Sequence, residues 1–326
     1  MNKVLYDRLV DTLRQNYRQT QLYAALLNGH EDAITPEMIN AICEDGNTTR
    51  TEAVVALLSE MFSLDFNDAS DRTFIRRYLT PSVREMDARK YTENPYYKTI
   101  KIDDVKDGAW ELRRECYPAY RLFIAGDMEI SDDMCEIAPL GFFSEDFYFP
   151  AVLEDGNEWM TLTPVDLDTS DEAIEAAHGK VVTFGLGLGY YAFMCAEKEE
   201  VESITVIEKS PDVIRLFKTH ILPKFPNADK VRIICADAFL YAEEEMPKEG
   251  YDVAFVDTWR DASDGAPMYA RMKKLEHLSC GTRFLYWIEG FLKSRLRAER
   301  YEALARLGLV DSHIMSYEEL VKYLTV

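Results

Sequence analysis

The chain has 326 residues, 47% of them hydrophobic and 29% charged, which excludes a disordered protein and leaves apolar material for a substantial core in more than one domain. Its 37 basic residues face 58 acidic ones, a formal charge of -21 that repels phosphate backbones and anionic lipid and argues against nucleic acid and membrane as partners. The same balance suits a cationic or neutral small-molecule substrate, and it serves solubility equally well.

The opening MNKVLYDRLVDTLRQNY places charges at every third or fourth position and contains no apolar run, so it reads as neither secretion signal nor membrane span, and a cytoplasmic protein is expected. Apolar residues recur at Leu5, Leu9, Leu13, Tyr17, Leu22 and Leu26. That spacing predicts an amphipathic helix, and similar spacing over Pro36 to Cys43 and Thr51 to Phe62 predicts two more. Asp71 to Met86 continues the helical character, interrupted by Pro81. Residues 1–95 therefore read as a helical module.

Residues 96–165 change texture. Aromatic, β-favouring runs at Tyr120 to Ile124, Gly141 to Pro150 and Glu158 to Leu162 are separated by acidic, glycine-bearing breaks, which predicts a small β-rich segment of strands and hairpins. GFFSEDFYF, Gly141 to Phe149, reads as hairpin core in preference to an aromatic cage.

Within residues 166–326, five apolar runs alternate with helical patterns. The strands are expected at Lys180 to Phe184, Ser203 to Ile207, Val231 to Cys235, Asp252 to Val256 and Thr282 to Ile288. The helices are expected at Tyr190 to Lys198, Pro211 to Leu222, Ala238 to Glu245 and Pro267 to Leu278. The rhythm predicts an α/β fold, a Rossmann-like doubly wound and mostly parallel sheet with helices on both faces. After it, Lys293 to Leu307 is basic and amphipathic, with Arg295, Arg297, Arg300 and Arg306 expected on a solvated face.

Six cysteines are scattered without a CxxC pair, and most, including Cys195 and Cys235, sit in apolar runs where free buried thiols are expected and a metal site is not. His30, His178, His220, His277 and His313 are dispersed, none at the carboxyl end of an expected strand, and read as structural or exposed.

The chemistry is carried by strand ends. In FGLGLG, Gly185, Gly187 and Gly189 lie between a strand and a helix, where missing side chains let either a nucleotide-like cofactor or a packed neighbour approach the backbone. Glu208, in VIEKS, lies 21 positions beyond Gly187, the interval at which an acid reaches ribose hydroxyls; a solvated strand-end glutamate is the plain alternative. Asp237, in CADAF, can accept from an adenine amino group while the Ala238 amide meets a ring nitrogen, or can simply cap the following helix. Asp257, in FVDTW, closes the fourth strand and is followed by Trp259, Asp261 and Asp264. Ligands bind open parallel sheets at these ends, so the four edges converge on one crevice.

Those four pieces, in that order, resemble the class I S-adenosyl-L-methionine-dependent methyltransferase family over about residues 179–290. The resemblance implies that Gly185, Gly187 and Gly189 pass the methionine part of S-adenosyl-L-methionine. It places Glu208 at the ribose, Asp237 and Ala238 at adenine, and Asp257 on the substrate-facing strand, with Lys209 also among the cofactor-binding residues. It leaves little room at the C-terminal end for the family's antiparallel sixth and seventh strands. A loose GxGxxA in GLGYYA also permits a nicotinamide-binding domain, which gives Asp237 and Asp257 no role.

Within the broader family, the β-rich segment and the aspartates after the fourth strand look similar to the spermidine synthase group. GLGLG replaces that group's acidic GGGDG, however, and DTWRDASDG lacks its DP signature. Methyl transfer to a small, cationic or neutral acceptor is the expected activity, with Asp257 and Asp261 holding or deprotonating an amine. Aminopropyl transfer and non-catalytic cofactor binding are the alternatives. Trp159, Met160 and Thr163 are placed to cover the adenosyl group, and a homodimer is compatible with everything above.

Overall fold

Five apolar runs rich in β-branched and aromatic residues become the strands of one parallel sheet. They are β1 (Gly179–Phe184), β2 (Val201–Glu208), β3 (Val231–Cys235), β4 (Val253–Val256) and β5 (Arg283–Tyr286). In this computed structural model, which describes residues 2–44, 46–102, 104–310 and 314–325, their order is β3-β2-β1-β4-β5 and every pair is parallel. Val182 sits in register with Thr205 on one side and Ala254 on the other. Side chains of both parities along β1, β2 and β4 are buried, which is why these strands read as continuous apolar runs and not as alternating ones.

The helices of this region are α1 (Pro164–Ala176), α2 (Tyr190–Ala196), α3 (Pro211–Leu216), α4 (Ala238–Glu244) and α5 (Ala262–Lys273). The chain steps from β1 through β2 to β3, then returns to add β4 and β5 on the other side. Right-handed crossovers in those two directions put helices on opposite faces, and the connections that leave the carboxyl ends of β1 and β4 part at the point of reversal. Helix α5 starts before Pro267, because Asp261 and Asp264 form a reciprocal cap on its first turn.

The chain divides into two compact units. One comprises Asp87–Cys116 and Tyr148–Glu289 and contains the parallel sheet; the other comprises Met1–Met86, Tyr117–Phe147 and Gly290–Val326. Contiguous segments 1–95, 96–165 and 166–326 do not describe this division, because the pairings of the second unit are non-local. Val83–Glu85 pairs parallel with Leu140–Phe142, which pairs antiparallel with Phe123–Ile124. The helices Asn2–Leu27 and Tyr317–Leu324 share a core through Leu9, Leu13, Leu320 and Leu324.

Several local expectations change. Asp71 to Met86 is not helical throughout: Pro81 lies in the short helix Thr80–Ser82, and the chain then extends into the strand Val83–Glu85. GFFSEDFYF is no hairpin, since Leu140–Phe142 and Phe147–Glu154 belong to different sheets, although Phe142, Phe143 and Phe147 are buried. Arg297 is not solvated; it is 7% exposed and ion-paired with Glu136, whose Oε2 accepts from the Ser294 hydroxyl at 2.7 Å. Cys195 is buried, but Cys235 is exposed at the sheet edge. His30, His178 and His277 are exposed and His220 half-buried, while His313 lies outside the described residues. Among the described residues no helix is long and apolar enough to cross a membrane.

Candidate active site

Beyond β1 the backbone enters the left-handed region three times, with φ of +100° at Gly185, +49° at Gly187 and +75° at Gly189. Side chains at these positions would meet protein. A Cβ would run into the Asp257 carbonyl oxygen at Gly185, the Met160 thioether at Gly187 and the Phe217 ring at Gly189. The glycines thus answer first to close packing of the loop against its neighbours, the plainer of the two sequence readings.

Hydrogen bonds from several segments hold that loop. The Leu186 amide donates to Glu208 Oε2 at 3.2 Å, and the Leu188 amide donates to Met160 Sδ at 3.1 Å. The hydroxyl of the buried Tyr96 donates to the Leu188 carbonyl at 2.6 Å, and the Gly189 amide to the Leu186 carbonyl at 2.8 Å. Two of the holders, Tyr96 and Met160, come from outside the β1 to α5 region and carry no motif.

At the carboxyl ends of β1 to β4 lies a cleft of about 590 Å³. Of the residues singled out from the sequence, Gly185, Gly187, Glu208, Lys209, Asp237, Ala238, Asp257 and Asp261 line it, as do Trp159 and Met160. Gly189 caps α2 and packs on Phe217. Thr163 is buried at the start of α1, where it forms a reciprocal cap with Asp166. Among the lining residues that carry no sequence signal are Glu158, Asp166, Thr258 and Trp287. They reach the cleft from a β-hairpin, a helix start and the loops after β4 and β5.

The carboxylates differ in what already holds them. Glu208 accepts the Ser210 amide on Oε1 at 2.7 Å as well as Leu186 on Oε2, so it ties two backbone segments. Asp237 Oδ1 caps α4, accepting from the Phe239 and Leu240 amides at 2.9 and 3.0 Å. Asp261 Oδ1 accepts from the Ser263 amide at 2.6 Å and its hydroxyl at 2.5 Å. Burial works against the charge of Asp261, but the Ser263 bonds prevail and hold the carboxyl below its ordinary value.

Asp257 is the opposite case. Its carboxylate is half-buried and has no hydrogen-bond or ion-pair partner among the described residues; only its amide is bonded, to the Phe184 carbonyl at 2.8 Å. Burial, then the charges of Asp166 and Glu208, push it up to about 8. Asp166 is pushed up by burial to about 6, against the pull of the Thr163 amide and hydroxyl on its Oδ2 at 2.7 and 2.9 Å.

Aromatic groups complete the walls. Three of the four tryptophans, Trp159, Trp259 and Trp287, line the cleft. Trp159 meets Trp110 edge-on at 5.4 Å, with the Arg260 guanidinium 5.8 Å from its ring centre. Thr258 Oγ1, Trp259 Nε1 and Trp287 Nε1 are buried without a hydrogen-bond partner. Unpaired buried donors cost free energy unless something else receives them. Seven carboxylates and two cations, Lys209 and Arg260, line the whole cleft, which gives it a field that attracts positive charge.

No protein-family model matches the chain, and no curated protein matches it. Solved structures are similar to part of it, two of them spermidine synthases. One is the crystal structure of spermidine synthase from Thermotoga maritima, at 16% identity and a TM-score of 0.31, over 46% of this chain and 55% of that one. The other is spermidine synthase in complex with the transition-state analogue AdoDATO, at 17% identity and a TM-score of 0.34, over 46% of this chain and 56% of that one. The match spans about half the length of either structure.

Proposed function

We propose that this chain is a transferase that alkylates a small cationic amine from an adenosyl sulfonium donor, and that the group moved is aminopropyl from decarboxylated S-adenosylmethionine. The observation that carries this reading is the half-buried, unpartnered Asp257 carboxylate in a cleft lined by seven acids. Such a wall favours ammonium and sulfonium groups and disfavours the carboxylate of the intact donor. The neutral GLGLG loop has little weight in the choice of donor: Leu186 and Leu188 are buried, and the acids come from elsewhere.

The residues present fit an adenosyl group. Glu208 has acceptor capacity beyond its two backbone bonds for ribose hydroxyls. Asp237 and Ala238 stand at the start of α4 for adenine, with Lys209, Gly185 and Gly187 along the rest of the donor. When bound, the donor supplies an electrophilic carbon whose bond to sulfur breaks as the acceptor nitrogen bonds to it. The protein's share is to align the two, exclude water and take the amine's proton, the last falling to Asp257. Asp261, held by Ser263, serves the acceptor by charge and by fixing the loop.

Methyl transfer from S-adenosyl-L-methionine is the second reading, favoured by Lys209 and Arg260, which line the cleft and can pair with a donor carboxylate. Calorimetric titration with both donors, with NADH as control, followed by assay for putrescine-dependent release of methylthioadenosine, separates them. Tighter binding of the decarboxylated donor with that release supports aminopropyl transfer. Preference for the intact donor with methylated product establishes the second reading, and binding without turnover by any amine leaves a cofactor-binding protein.

A further inference from the structure

Beneath the glycine loop lies a chamber of about 30 Å³ whose lining includes Asp166, Ser170, Thr183 and Asp257, together with Tyr190, Tyr191 and Trp287. Both aspartates also line the large cleft, so the two spaces share an acidic wall. A chamber of that size holds one or two waters, each of which needs two to four polar partners. Asp166, Ser170, Thr183 and Asp257 supply them. Ser170 Oγ donates to the Asp166 carbonyl at 2.7 Å, which leaves its lone pairs to accept from a water.

We propose that Asp166 is the second carboxylate of a proton-accepting pair: a water held in the chamber links it to Asp257, and the two share the proton that the amine gives up. The inference rests on the amine-alkylating reading of the same cleft. The acceptor enters as an ammonium, and one N–H proton passes to a carboxylate oxygen of Asp257, leaving the nitrogen its lone pair. Asp257 hands that proton to the water, which releases another to Asp166. From Asp166, which also faces the cleft, it departs to solvent. Asp166 touches no reacting atom in this scheme and is a positioning residue acting through Asp257.

The charged groups that share the cleft with Asp257 fit this role. Asp166 comes from α1, Glu208 from the end of β2 and Glu158 from the strand Asn157–Thr161, with Lys209 and Arg260 as the cations of the cleft. Tyr190 and Tyr191 of α2 line the chamber, and burial raises both hydroxyls, so they stay neutral. With Asp257 at about 8 and Asp166 at about 6, the free pair holds one proton at neutral pH. Arrival of a cation favours the doubly ionised pair and expels that proton, readying both oxygens for the amine.

Two measurements test the pair. Titration with decarboxylated S-adenosylmethionine at neutral pH, in two buffers of different ionisation enthalpy, should show about one proton released per donor in the native protein and close to none in Asp166→Asn. Carboxyl-carbon NMR without ligand should show the Asp257 titration moving toward the ordinary range in Asp166→Asn. The substituted amide retains an oxygen for the Thr163 cap, so the fold is expected to persist. The pH profile of turnover should shift to lower pH in the same variant, with KM for the donor little changed. Donor binding without proton release, or an Asp257 titration indifferent to Asp166→Asn, overturns the pair and leaves the transferase reading standing. Failure of both adenosyl donors to bind removes the transferase reading, and with it the amine as proton source.

Discussion

The Leu186 amide donates to Glu208 Oε2, and the Ser210 amide donates to the other oxygen of the same carboxylate, so one side chain joins the glycine loop to the turn after β2. A residue that the sequence offers as a ribose holder or as a solvated strand end is part of the scaffold. Replacing Glu208 by alanine should therefore have two effects. Donor binding weakens by roughly 2–4 kcal/mol, and stability falls by roughly 1–3 kcal/mol as two amides lose their acceptor. Calorimetric titration and urea unfolding read the two separately. An unchanged affinity in a variant that still folds would mean that the carboxylate serves the loop alone.

The packing of Met160 over Gly187 predicts a coupled pair of substitutions. Gly187→Ala forces a side chain into φ +49° and against the thioether, at a cost of roughly 1–3 kcal/mol. Met160→Ala should relieve the clash, so the double variant is expected to lose less than the sum of the single losses. Gly185→Ala meets the Asp257 carbonyl, which is backbone, and no side-chain change can relieve it. Strict additivity of the Gly187 and Met160 effects in denaturant unfolding would contradict this picture.

Asp257 makes stability fall with rising pH. Its folded-state value of about 8 lies above the ordinary one, so the folded protein holds a proton that the unfolded chain has lost over most of the range between them. The stabilisation of the neutral form is complete below the ordinary carboxyl range and is lost as pH rises through about 8. Asp257→Asn should then unfold at a higher urea midpoint than the native protein at pH 8, by roughly 1–3 kcal/mol, since solvent in the cleft moderates the full linkage. The gap should close as pH falls toward 4, about the unfolded value. Equal gaps at both ends of the range would show that Asp257 titrates normally.

In the other compact unit, Glu136 and Arg297 form a buried ion pair, and burial pushes the Glu136 carboxyl up against the pull of Arg297. Arg297→Met leaves a carboxylate without its cation and should cost about 3–5 kcal/mol. Pairing that change with Glu136→Leu removes the stranded charge and should recover most of the loss. Chemical denaturation of the two single variants and the double one decides; a neutral Arg297→Met would show that the pair is open to solvent.

Much of the parallel sheet was legible in the residues themselves. Buried strands need unbroken apolar runs, and helix starts need caps, so β1 to β5 and the beginnings of α2, α3 and α4 fall close to where KVVTF, SITVI, VRIIC, DVAFV, TRFLYWI and the turn residues beside them put them. The strand ends follow from the same logic. Once the order of strands and helices is read, Glu208, Asp237 and Asp257 must stand at the carboxyl edge of the sheet.

What lay beyond the sequence is whatever depends on contacts between distant segments. Val83–Glu85 is a strand because Leu140–Phe142 offers it an edge, and Arg297 is buried because Glu136 meets it. The glycine loop shows the same limit. Nothing in FGLGLG names Met160, Phe217 or Tyr96 as neighbours, although they shape it. Asp166 looks like an ordinary first-turn acid in TPVDLD, and only the folding of α1 beneath the loop brings it beside Asp257. Periodicity and capping act over a few residues and are written locally, whereas burial and the field at a carboxylate are sums over everything nearby in space. The sequence by itself determined which residues form the strands and which acids stand at their ends; the tertiary structure decided which of those acids are already bonded, which one is left unpaired, and what surrounds it.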